Sequence, residues 1–188
     1  VIRAAMQAAM AHGTPWDLEL PLVTTADGRQ TWVRSQGTAV MQDGKVVRLT
    51  GAVQDITERA RAQQALQESE SFVRATMDAL LANICVLDEV GAIVAVNRAW
   101  RDFAAANGVD PDRVSEGTNY LAVCAAATGA ERTTAEAIAE GIRSVARGTT
   151  LRFSVEYPCH SPEQQRWFMA SANRFLVGDS RRVVVFHF

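Results

Sequence analysis

The stretch that decides the fold is RFSVEYPCHSPEQQRWF (152–168), because the chain carries a related stretch, DLELPLVTTADGRQTWV (17–33), nearer its beginning. The two align without a gap at an offset of 135 residues. At the same offset, KVVRLTGAV (45–53) aligns with SRRVVVFHF (180–188). Apolar and polar side chains alternate in these stretches, which is typical of half-buried strands in an antiparallel sheet. The repeat therefore predicts two three-stranded meanders.

Turn residues separate the predicted strands of the first meander, where Asp27-Gly28 and Asp43-Gly44 favour tight turns. The six predicted strands are 16–24, 30–41 and 45–54, followed by 150–158, 164–177 and 181–188. Residue 1 aligns with residue 136, so we expect the first copy to hold only the last helix and the three strands of its domain. Its inner face would be apolar, and we expect it to pair with another chain or with residues outside this sequence. The residues of that face are Leu18, Leu20, Leu22, Val47 and Leu49.

A strong helix signal lies between the two copies. The segment ERARAQQALQESESFVRATMDALL (58–81) is rich in helix formers and contains no Gly or Pro. Asp55 or Thr57 is placed to cap its start. Three apolar residues recur every seven positions, as in a short parallel coiled coil: Leu66, Val73 and Leu80. The pattern predicts a connecting helix and a homodimer formed through residues 55–81.

The second copy also has a front half that the first lacks. It is predicted to contain strands at 84–88 and 92–96, a helix that begins at Asn97, and helices at 119–127 and 131–148. The resulting order, β-β-α-α-α-β-β-β, predicts an α+β fold in which one antiparallel five-stranded sheet carries helices on one face. The predicted domains are the end of a first domain at 1–54, a connecting helix at 55–82 and a second domain at 83–188.

Several of these features together resemble the PAS family of sensory domains. They are LDEVGAIVAVNRAW (87–100), the Gly-Thr pair at 148–149, the strand tryptophans Trp32 and Trp167, and GAVQDITERARAQQAL (51–66). The resemblance implies a tandem of PAS domains that receives a signal, such as a ligand or a cofactor state, and passes it through flanking helices. It also implies an attached output domain, in a bacterial-type protein of the sensor histidine kinase or diguanylate cyclase class. The alternative is a ligand-free PAS module that dimerises and only relays a signal.

Strand parity and helical facing predict a ligand pocket between the helices and the inner sheet face. Its predicted lining is Trp100, Phe103, Asn119, Tyr120, Cys124, Phe153, Val155, Tyr157, Trp167 and Met169. For the apolar residues of this set, ordinary core packing is the alternative interpretation. Asp55 and Thr57 are the candidate relay residues where the first sheet joins the helix, and the alternative is that they only cap it. Asn97 is expected to bond local backbone where strand meets helix.

No motif indicates a cofactor or a metal. Cys159-His160 suggests a metal half-site or a thiolate–imidazole pair, but a metal needs three or four ligands, and we favour an exposed turn shaped by the neighbouring prolines. Light-sensing relatives surround their flavin-adduct cysteine with Asn-Cys-Arg-Phe-Leu. Cys124 lacks this pattern, so we expect an inert buried thiol there.

Haem is not favoured either, because the segments that hold the ligand histidine in haem-binding relatives, 131–148 and 150–157, contain no His. Strand parity places His187 opposite three apolar neighbours, which predicts that its side chain points away from the core. Those neighbours are Val184, Phe186 and Phe188.

The composition narrows the class of protein further. Nineteen basic and 21 acidic residues give a net charge of -2, which provides no basic surface for nucleic acid. No apolar stretch has the length of a membrane span. We therefore expect a cytoplasmic chain, or the cytoplasmic part of a membrane-anchored sensor. Neither a phosphate-cradling loop nor a hydrolase motif is present, so we predict no catalytic residue and no enzymatic activity.

Overall fold

The computed structural model describes residues 1–23, 28, 30–158 and 166–188. These residues form two compact units, Val1–Glu70 and Ser71–Phe188.

The described part of the first unit consists of a helix, a three-stranded sheet and the first part of the helix that follows the sheet. Helix α1 (Ile2–His12) ends at Gly13, whose φ of 72° lies in the left-handed region that glycine adopts without strain. Strands β1 (Trp16–Val23), β2 (Gln30–Gln42) and β3 (Lys45–Asp55) form an antiparallel sheet in the order β1-β2-β3. The meander predicted for this part of the chain is therefore present.

The β2–β3 turn follows the chemistry that its sequence predicts. Asp43 (φ 51°) and Gly44 (φ 75°) both adopt positive φ, as the common two-residue hairpin turn requires.

The first sheet buries few of its side chains. In β2, the side chains of Val33 and Ser35 are buried. The predicted apolar face is only partly covered within the unit. Leu18, Leu20 and Leu49 are half-buried, whereas Leu22 and Val47 are exposed.

Helix α2 (Thr57–Ala79) follows β3 after one residue and is slightly shorter than the predicted helix at 55–81. Its sequence favours helix throughout, because glutamate, glutamine, alanine and arginine dominate it. None of its side chains is buried. Packing within the described chain therefore does little to stabilise α2, although its last turn, which belongs to the second unit, is hydrogen-bonded to Asn97 and Arg98 of the same unit.

After the end of α2, the described part of the second unit contains five strands, three helices and two short 3-10 turns. Its front half consists of β4 (Asn83–Leu87), β5 (Ile93–Val96), α3 (Arg98–Ala106) and α4 (Tyr120–Ala125), with a 3-10 turn at Pro111–Val114. Its second half consists of a 3-10 turn at Gly129–Glu131, α5 (Arg132–Arg147), β6 (Arg152–Pro158), β7 (Trp167–Val177) and β8 (Ser180–His187). The strands form one antiparallel sheet in the order β5-β4-β8-β7-β6. This arrangement confirms the predicted α+β class.

The core of the second unit lies between α5 and the inner face of the sheet. Ile138, Ile142 and Val145 recur along one side of α5 and are buried, as the helical period requires. They pack with Ala170 and Ala172 of β7, whose small side chains let the helix lie close to the sheet. The approach is so close that a β-carbon on Gly141 would lie 2.3 Å from the Phe153 ring.

Candidate ligand-binding site

A cavity of about 550 Å³ lies inside the second unit. Its walls come from α3, α4, α5 and the inner face of the sheet. Apolar and aromatic side chains predominate, with a few polar groups among them. Among the residues that carry the chemistry are Trp100, Phe103, Tyr120, Cys124, Thr134, Ile138, Tyr157 and His187. The volume falls within the range of about 300–1,000 Å³ that is usual for small-molecule sites.

The polar centre of the cavity is a histidine held between two tyrosines. The hydroxyl of Tyr120 lies 3.0 Å from Nε2 of His187, and the hydroxyl of Tyr157 lies 2.6 Å from Nδ1. His187 is only 8% exposed. Burial penalises the charged imidazolium and lowers the pKa of His187 to about 4. The ring is therefore neutral at pH 7 and has one N–H donor and one acceptor nitrogen.

Aromatic rings enclose this centre. The Trp100 ring lies 5.6 Å from the His187 ring in an edge-on arrangement, and Tyr157 meets His187 at an interplanar angle of 90°. The indole nitrogen of Trp100 donates to the carbonyl oxygen of Val114 at 2.8 Å, which satisfies its buried donor. Offset and edge-on geometries of this kind are the favoured ones for aromatic pairs.

The charge of the cavity lining is low. Burial raises the pKa of the Cys124 thiol to about 11 and raises that of Cys85 further, so both are protonated at neutral pH. Burial also raises the pKa of Tyr120. Among the described lining residues there is no Lys or Arg, and Glu131 is the one acid. Outside the lining, Arg166 donates to the side-chain oxygen of Asn107 at 3.0 Å.

Asn97 connects the cavity wall to the end of α2. Its side-chain oxygen accepts from the backbone N–H of Ile84 at 2.9 Å and of Trp100 at 3.1 Å, so it caps α3 as expected. Its side-chain nitrogen donates to three carbonyl oxygens near the end of α2. Those carbonyls belong to Met77, Leu80 and Ala82, at 3.1, 3.3 and 2.8 Å. The residue thus reaches well beyond the local backbone that the sequence suggested.

The structure brings five of the ten predicted pocket residues to the cavity: Trp100, Phe103, Tyr120, Cys124 and Tyr157. Phe153 and Val155 pack against the core instead. Asn119 caps α4, where its side-chain oxygen accepts from the backbone N–H of Ala122 at 2.9 Å.

The predicted inward facing of Trp167 and Met169 is wrong. Their side chains are 63% and 38% exposed, and the inner face of β7 is formed by the alternate residues, including Phe168. The sequence analysis assigned the bulkier of the two alternating sets of side chains in WFMASA (167–172) to the inner face of the sheet. In the structure the other set faces inward, because Ala170 and Ala172 must fit beneath α5.

The predicted outward facing of His187 is also wrong. The buried positions of β8 are Val183, Val185 and His187, whereas Phe188 is exposed. Every position in the VVVFHF run except 187 is apolar, so alternation in sequence does not distinguish the two faces. The preference for a side with two phenylalanines over a side with a histidine led to the error. The register with β4, which pairs His187 with Asn83, is what identifies the inner face.

The two candidate relay residues lie at the joint between the first sheet and α2. The Asp55 carboxylate accepts from the backbone N–H of Thr57 at 2.8 Å. The Thr57 side chain and, to a smaller extent, this N–H lower the Asp55 pKa by hydrogen bonding. The Thr57 hydroxyl accepts from the backbone N–H of Trp32 at 3.0 Å, and the Ile56 amide donates to the Trp32 carbonyl at 2.8 Å. The start of α2 is therefore hydrogen-bonded to the beginning of β2, the central strand of the first sheet.

The remaining sequence predictions concern the Cys159-His160 pair, a metal site and a membrane span. Cys159 and His160 lie outside the described residues. Within the described part of the chain, no group of three or more His, Cys, Asp or Glu side chains is arranged to hold a metal ion. None of the described helices combines the length and the apolar character needed to cross a membrane.

An antiparallel sheet with helices on one face and a cavity between them defines the second unit as an α+β domain. Residues 1–53 match the family model described as PAS fold. The chain is therefore similar to the PAS family over its first 53 residues.

Two curated proteins are related to the chain. An uncharacterized 104.1 kDa protein in the hypE 3′ region of Rhodobacter capsulatus is 42% identical over 119 residues, which is 62% of this chain and 12% of that protein. Uncharacterized protein y4lL of Sinorhizobium fredii is 38% identical over 93 residues, 49% of this chain and 11% of that protein. The chain thus spans about an eighth or less of the length of these relatives.

Solved PAS domains show a distant likeness. The PAS domain of an HTR-like protein from Haloarcula marismortui has a TM-score of 0.46 at 20% identity and covers 69% of this chain and 98% of that one. The PAS domain of BvgS from Bordetella pertussis has a TM-score of 0.47 at 14% identity and covers 64% and 85%.

Proposed function

We propose that the chain is the sensory part of a larger signalling protein and that a small ligand binds in the cavity of the second unit. The observation that carries the proposal is the cavity itself, in which aromatic walls surround the Tyr120–His187–Tyr157 centre. Cavities that combine apolar walls with a few convergent polar groups are the usual sites of ligand binding. In this proposal the chain has no catalytic activity of its own, works in the cytoplasm and regulates an attached output domain.

The contacts of Asn97 support the transmission of a signal from the cavity. Trp100 lines the cavity, and its backbone amide is held by the Asn97 side chain. The same side chain holds carbonyls near the end of α2. A ligand that moves Trp100 would therefore alter the hydrogen bonds that fix the end of α2. Such a shift changes signalling only if the helix has two arrangements to choose between.

The repeat in the sequence supports a tandem arrangement, in which residues 1–54 are the end of one PAS domain, 55–82 connect, and 83–188 are the second PAS domain. Asp55 and Thr57 would then couple the first sheet to α2, because their hydrogen bonds join the helix start to Trp32.

The experiment compares ligand binding by the chain and by a variant whose cavity is filled. Ala135 lines the cavity from α5, whereas Ala137 is exposed on the same helix. We expect Ala135→Phe to remove binding and Ala137→Phe to retain it. Absorption spectra, together with native and denaturing mass spectrometry of the purified chain, detect a ligand that is retained. A thermal-shift screen detects one that is added. Equal binding by both variants would place the ligand elsewhere, and a cavity that takes up nothing would remove the proposal.

A second candidate function, a ligand-free module that dimerises and relays, is favoured by the surface of α2. Leu66 and Phe72 are 60% and 73% exposed, and Val73 is exposed beside them. Exposed apolar residues at seven-residue spacing suit pairing with a second copy of the same helix. We expect Leu66→Glu to give a monomer by light scattering and Gln67→Glu, which adds the same charge beside the seam, to leave a dimer. A monomeric parent chain at high concentration would contradict pairing through α2.

A further inference from the structure

We propose that Asn83 is the residue through which the cavity recognises its ligand, and that the ligand is a flat cyclic amide or a heterocycle with the same hydrogen-bonding edge. Such an edge presents one donor and one acceptor side by side. The inference rests on the proposed function and specifies the class of ligand. The observation that carries it is a buried carboxamide that lines the cavity and has no hydrogen-bond partner among the described residues.

Asn83 is the first residue of β4, which lies between β5 and β8 in the second sheet. Its backbone pairs with His187 of β8, and strand alternation places its side chain on the inner face together with Cys85 and Leu87. Asn83 is 9% exposed and lines the cavity. Asparagine is disfavoured in strands, and the next two inward residues of β4 are apolar and fully buried. Neither strand propensity nor core packing favours an amide at this position.

The polar centre of the cavity, by contrast, is hydrogen-bonded within the protein. The Tyr120 hydroxyl is bonded to His187 and to the Cys124 thiol. The Tyr157 hydroxyl is bonded to the other ring nitrogen of His187, and Tyr157 has a further interaction in the protein. These groups therefore need no partner from a ligand.

The remaining polar side chains of the described lining differ from Asn83 in bonding or in exposure. The Asn107 carboxamide both donates and accepts a hydrogen bond within the protein. Thr134 is half-buried and Glu131 is exposed, so water has access to both. Within the described lining, Asn83 is thus the buried carboxamide whose donor and acceptor are both unpaired.

A buried amide without a partner is costly, because it loses the hydrogen bonds that it makes with water in the unfolded chain. Native proteins pair most such groups, and the exceptions concentrate at functional sites. A molecule that enters the cavity can supply the missing bonds. The carboxamide of Asn83 presents an acceptor oxygen beside a donor nitrogen, so its best complement is a donor beside an acceptor. Asparagine recognises the corresponding edge of adenine in DNA-binding proteins.

Neither an anion nor a cation matches both halves of this edge. A carboxylate offers acceptors only, so one of its oxygens would face the carbonyl oxygen of Asn83. An ammonium group offers donors only and would leave the N–H groups of Asn83 unpaired. The charges around the cavity do not decide between the two ions, because Arg143 and Arg166 favour an anion whereas Glu131 favours a cation.

The aromatic rings beside the strand partner of Asn83 favour a flat ligand. The rings of Trp100 and Tyr157 lie 5.6 and 5.7 Å from the His187 ring, and both meet it edge-on. A flat ring can stack on one of these side chains and meet another at its edge, the two arrangements that aromatic pairs prefer.

The test is calorimetry of the full chain with five probes of similar size: 2-quinolone, 4-methyl-2-quinolone, N-methyl-2-quinolone, naphthalene and 2-naphthoate. Methylation at nitrogen removes the donor of the amide edge, whereas methylation at the 4-position adds the same group and leaves the edge intact. We expect 2-quinolone and its 4-methyl derivative to bind about tenfold more tightly than the N-methyl derivative, the gain from one buried neutral hydrogen bond. Naphthalene and 2-naphthoate should bind more weakly than 2-quinolone.

Equal binding of the two methyl derivatives would overturn the inference while leaving the cavity a ligand site, and so would tighter binding of naphthalene or 2-naphthoate. If no probe binds, the inference fails, whereas the proposed function is still judged by the comparison of Ala135→Phe with Ala137→Phe.

The role of Asn83 is tested with Asn83→Leu, which has a similar size but no amide. We expect this variant to lose the preference for the 4-methyl over the N-methyl derivative and to bind naphthalene at least as tightly as the parent does. Asn173→Leu is the matched control, because Asn173 lies on the opposite face of the sheet, where its side chain accepts from Arg152. The control should keep the preference. A preference that persists in Asn83→Leu would overturn the role of Asn83.

Stability without ligand separates recognition from a structural role. Replacing an unpaired buried amide by an apolar side chain of similar shape leaves stability unchanged or raises it, whereas replacing a bonded one lowers it. We therefore expect the midpoint of urea unfolding of Asn83→Leu to equal or exceed that of the parent. A lower midpoint in both Asn83→Leu and the smaller Asn83→Val would assign the amide to folding and overturn the inference.

Discussion

Each of the two units contains a three-stranded antiparallel meander, but the units differ in what the meander encloses. At the offset of 135 residues, the turn that pairs Gln42 with Lys45 in the first unit corresponds to the turn that pairs Val177 with Ser180 in the second. The inward positions correspond as well, since buried Val33 aligns with Phe168 on the cavity side. In the second unit, β4, β5 and three helices complete the sheet and enclose a core and a cavity. The meander therefore forms one wall of the cavity, and the additional elements enclose it.

Burial shows the same contrast. The described part of the first unit buries few apolar residues, Ala9, Val33 and Ile56, whereas the second buries a continuous cluster that includes Leu87 and Val185. Ion pairs on the first sheet do not compensate for its smaller number of buried apolar residues. The Asp17–Arg34 pair, at 2.6 Å, lies at the surface, where ion pairs stabilise little.

The largest expected effect tests whether stability is concentrated in the second unit. Leu87→Ala removes a side chain that is fully buried, and we expect it to destabilise that unit by about 2–5 kcal/mol. Leu20→Ala, at a half-buried position of the first sheet, should cost less than about 1.5 kcal/mol. Hydrogen-exchange mass spectrometry reports the opening of each unit separately.

The control for this comparison is Leu176→Ala, because Leu176 is exposed on β7 and its truncation should change stability by less than about 0.5 kcal/mol. Equal losses for Leu87→Ala and Leu20→Ala would show that the first sheet is covered in solution by another chain, and the comparison would no longer hold.

The next effect concerns the hydrogen bonds of Asn97, which join α3 and β4 to the end of α2 within the second unit. Asn97→Ala leaves the buried amides of Ile84 and Trp100 without their side-chain acceptor, so we expect a loss of about 2–4 kcal/mol. Asn119→Ala removes a helix cap at a half-buried site and should cost about 1 kcal/mol. Urea unfolding measures both. A cost for Asn97→Ala no larger than that for Asn119→Ala would mean that its hydrogen bonds are replaced by water.

How far the sequence predicts this architecture depends on local pattern. Alternation and turn residues such as Asp43-Gly44 were sufficient for both meanders, because they act within a few residues. The five cavity residues found in advance lie on helices with one clear apolar side or, like Tyr157, on a strand with strict alternation. Local pattern thus carries most of the fold and half of the predicted site.

The remaining errors share one physical cause. In β7 and β8 both faces are largely apolar, so the inward face is set by packing against α5 and by pairing with β4. His187 was assigned outward for this reason. The reach of Asn97 to Met77 depends on where α2 ends relative to α3, which no spacing in the sequence encodes.

The third effect is a pH dependence of the stability of the second unit, and it comes from His187 in the cavity. Because His187 has a pKa of about 4 in the folded chain and 6.5 as its ordinary value, the unfolded chain binds more protons between these limits. Stability from this residue is complete above about pH 6.5 and falls as the pH is lowered towards 4. At pH 4.5 we expect a loss of about 2–3 kcal/mol relative to pH 7.5.

His187→Gln should lack this loss, and the difference between the parent and the variant isolates it. Tyr120, which faces His187, does not ionise in this window, because burial raises its pKa, and the thiols of Cys85 and Cys124 stay protonated. Asp17, with a pKa of about 2, is stabilising above its ordinary value of 3.8 and loses that contribution below it, in both proteins alike. Parallel pH profiles for the parent and His187→Gln would show that the ring is not neutral in the folded chain.

The smallest effect tests whether the joint at the other end of α2 carries a signal. Asp55→Ala removes the carboxylate that accepts from the first amide of the helix and should cost about 1 kcal/mol, seen as faster exchange at the start of α2. Glu70→Ala, exposed in the middle of the helix, removes the same charge without a cap. If Asp55 relays, Asp55→Ala in the full-length protein should change the output response, whereas Glu70→Ala should not. A response that is unchanged despite faster exchange would reduce Asp55 to a helix cap and leave the Asn97 connection as the route from the cavity.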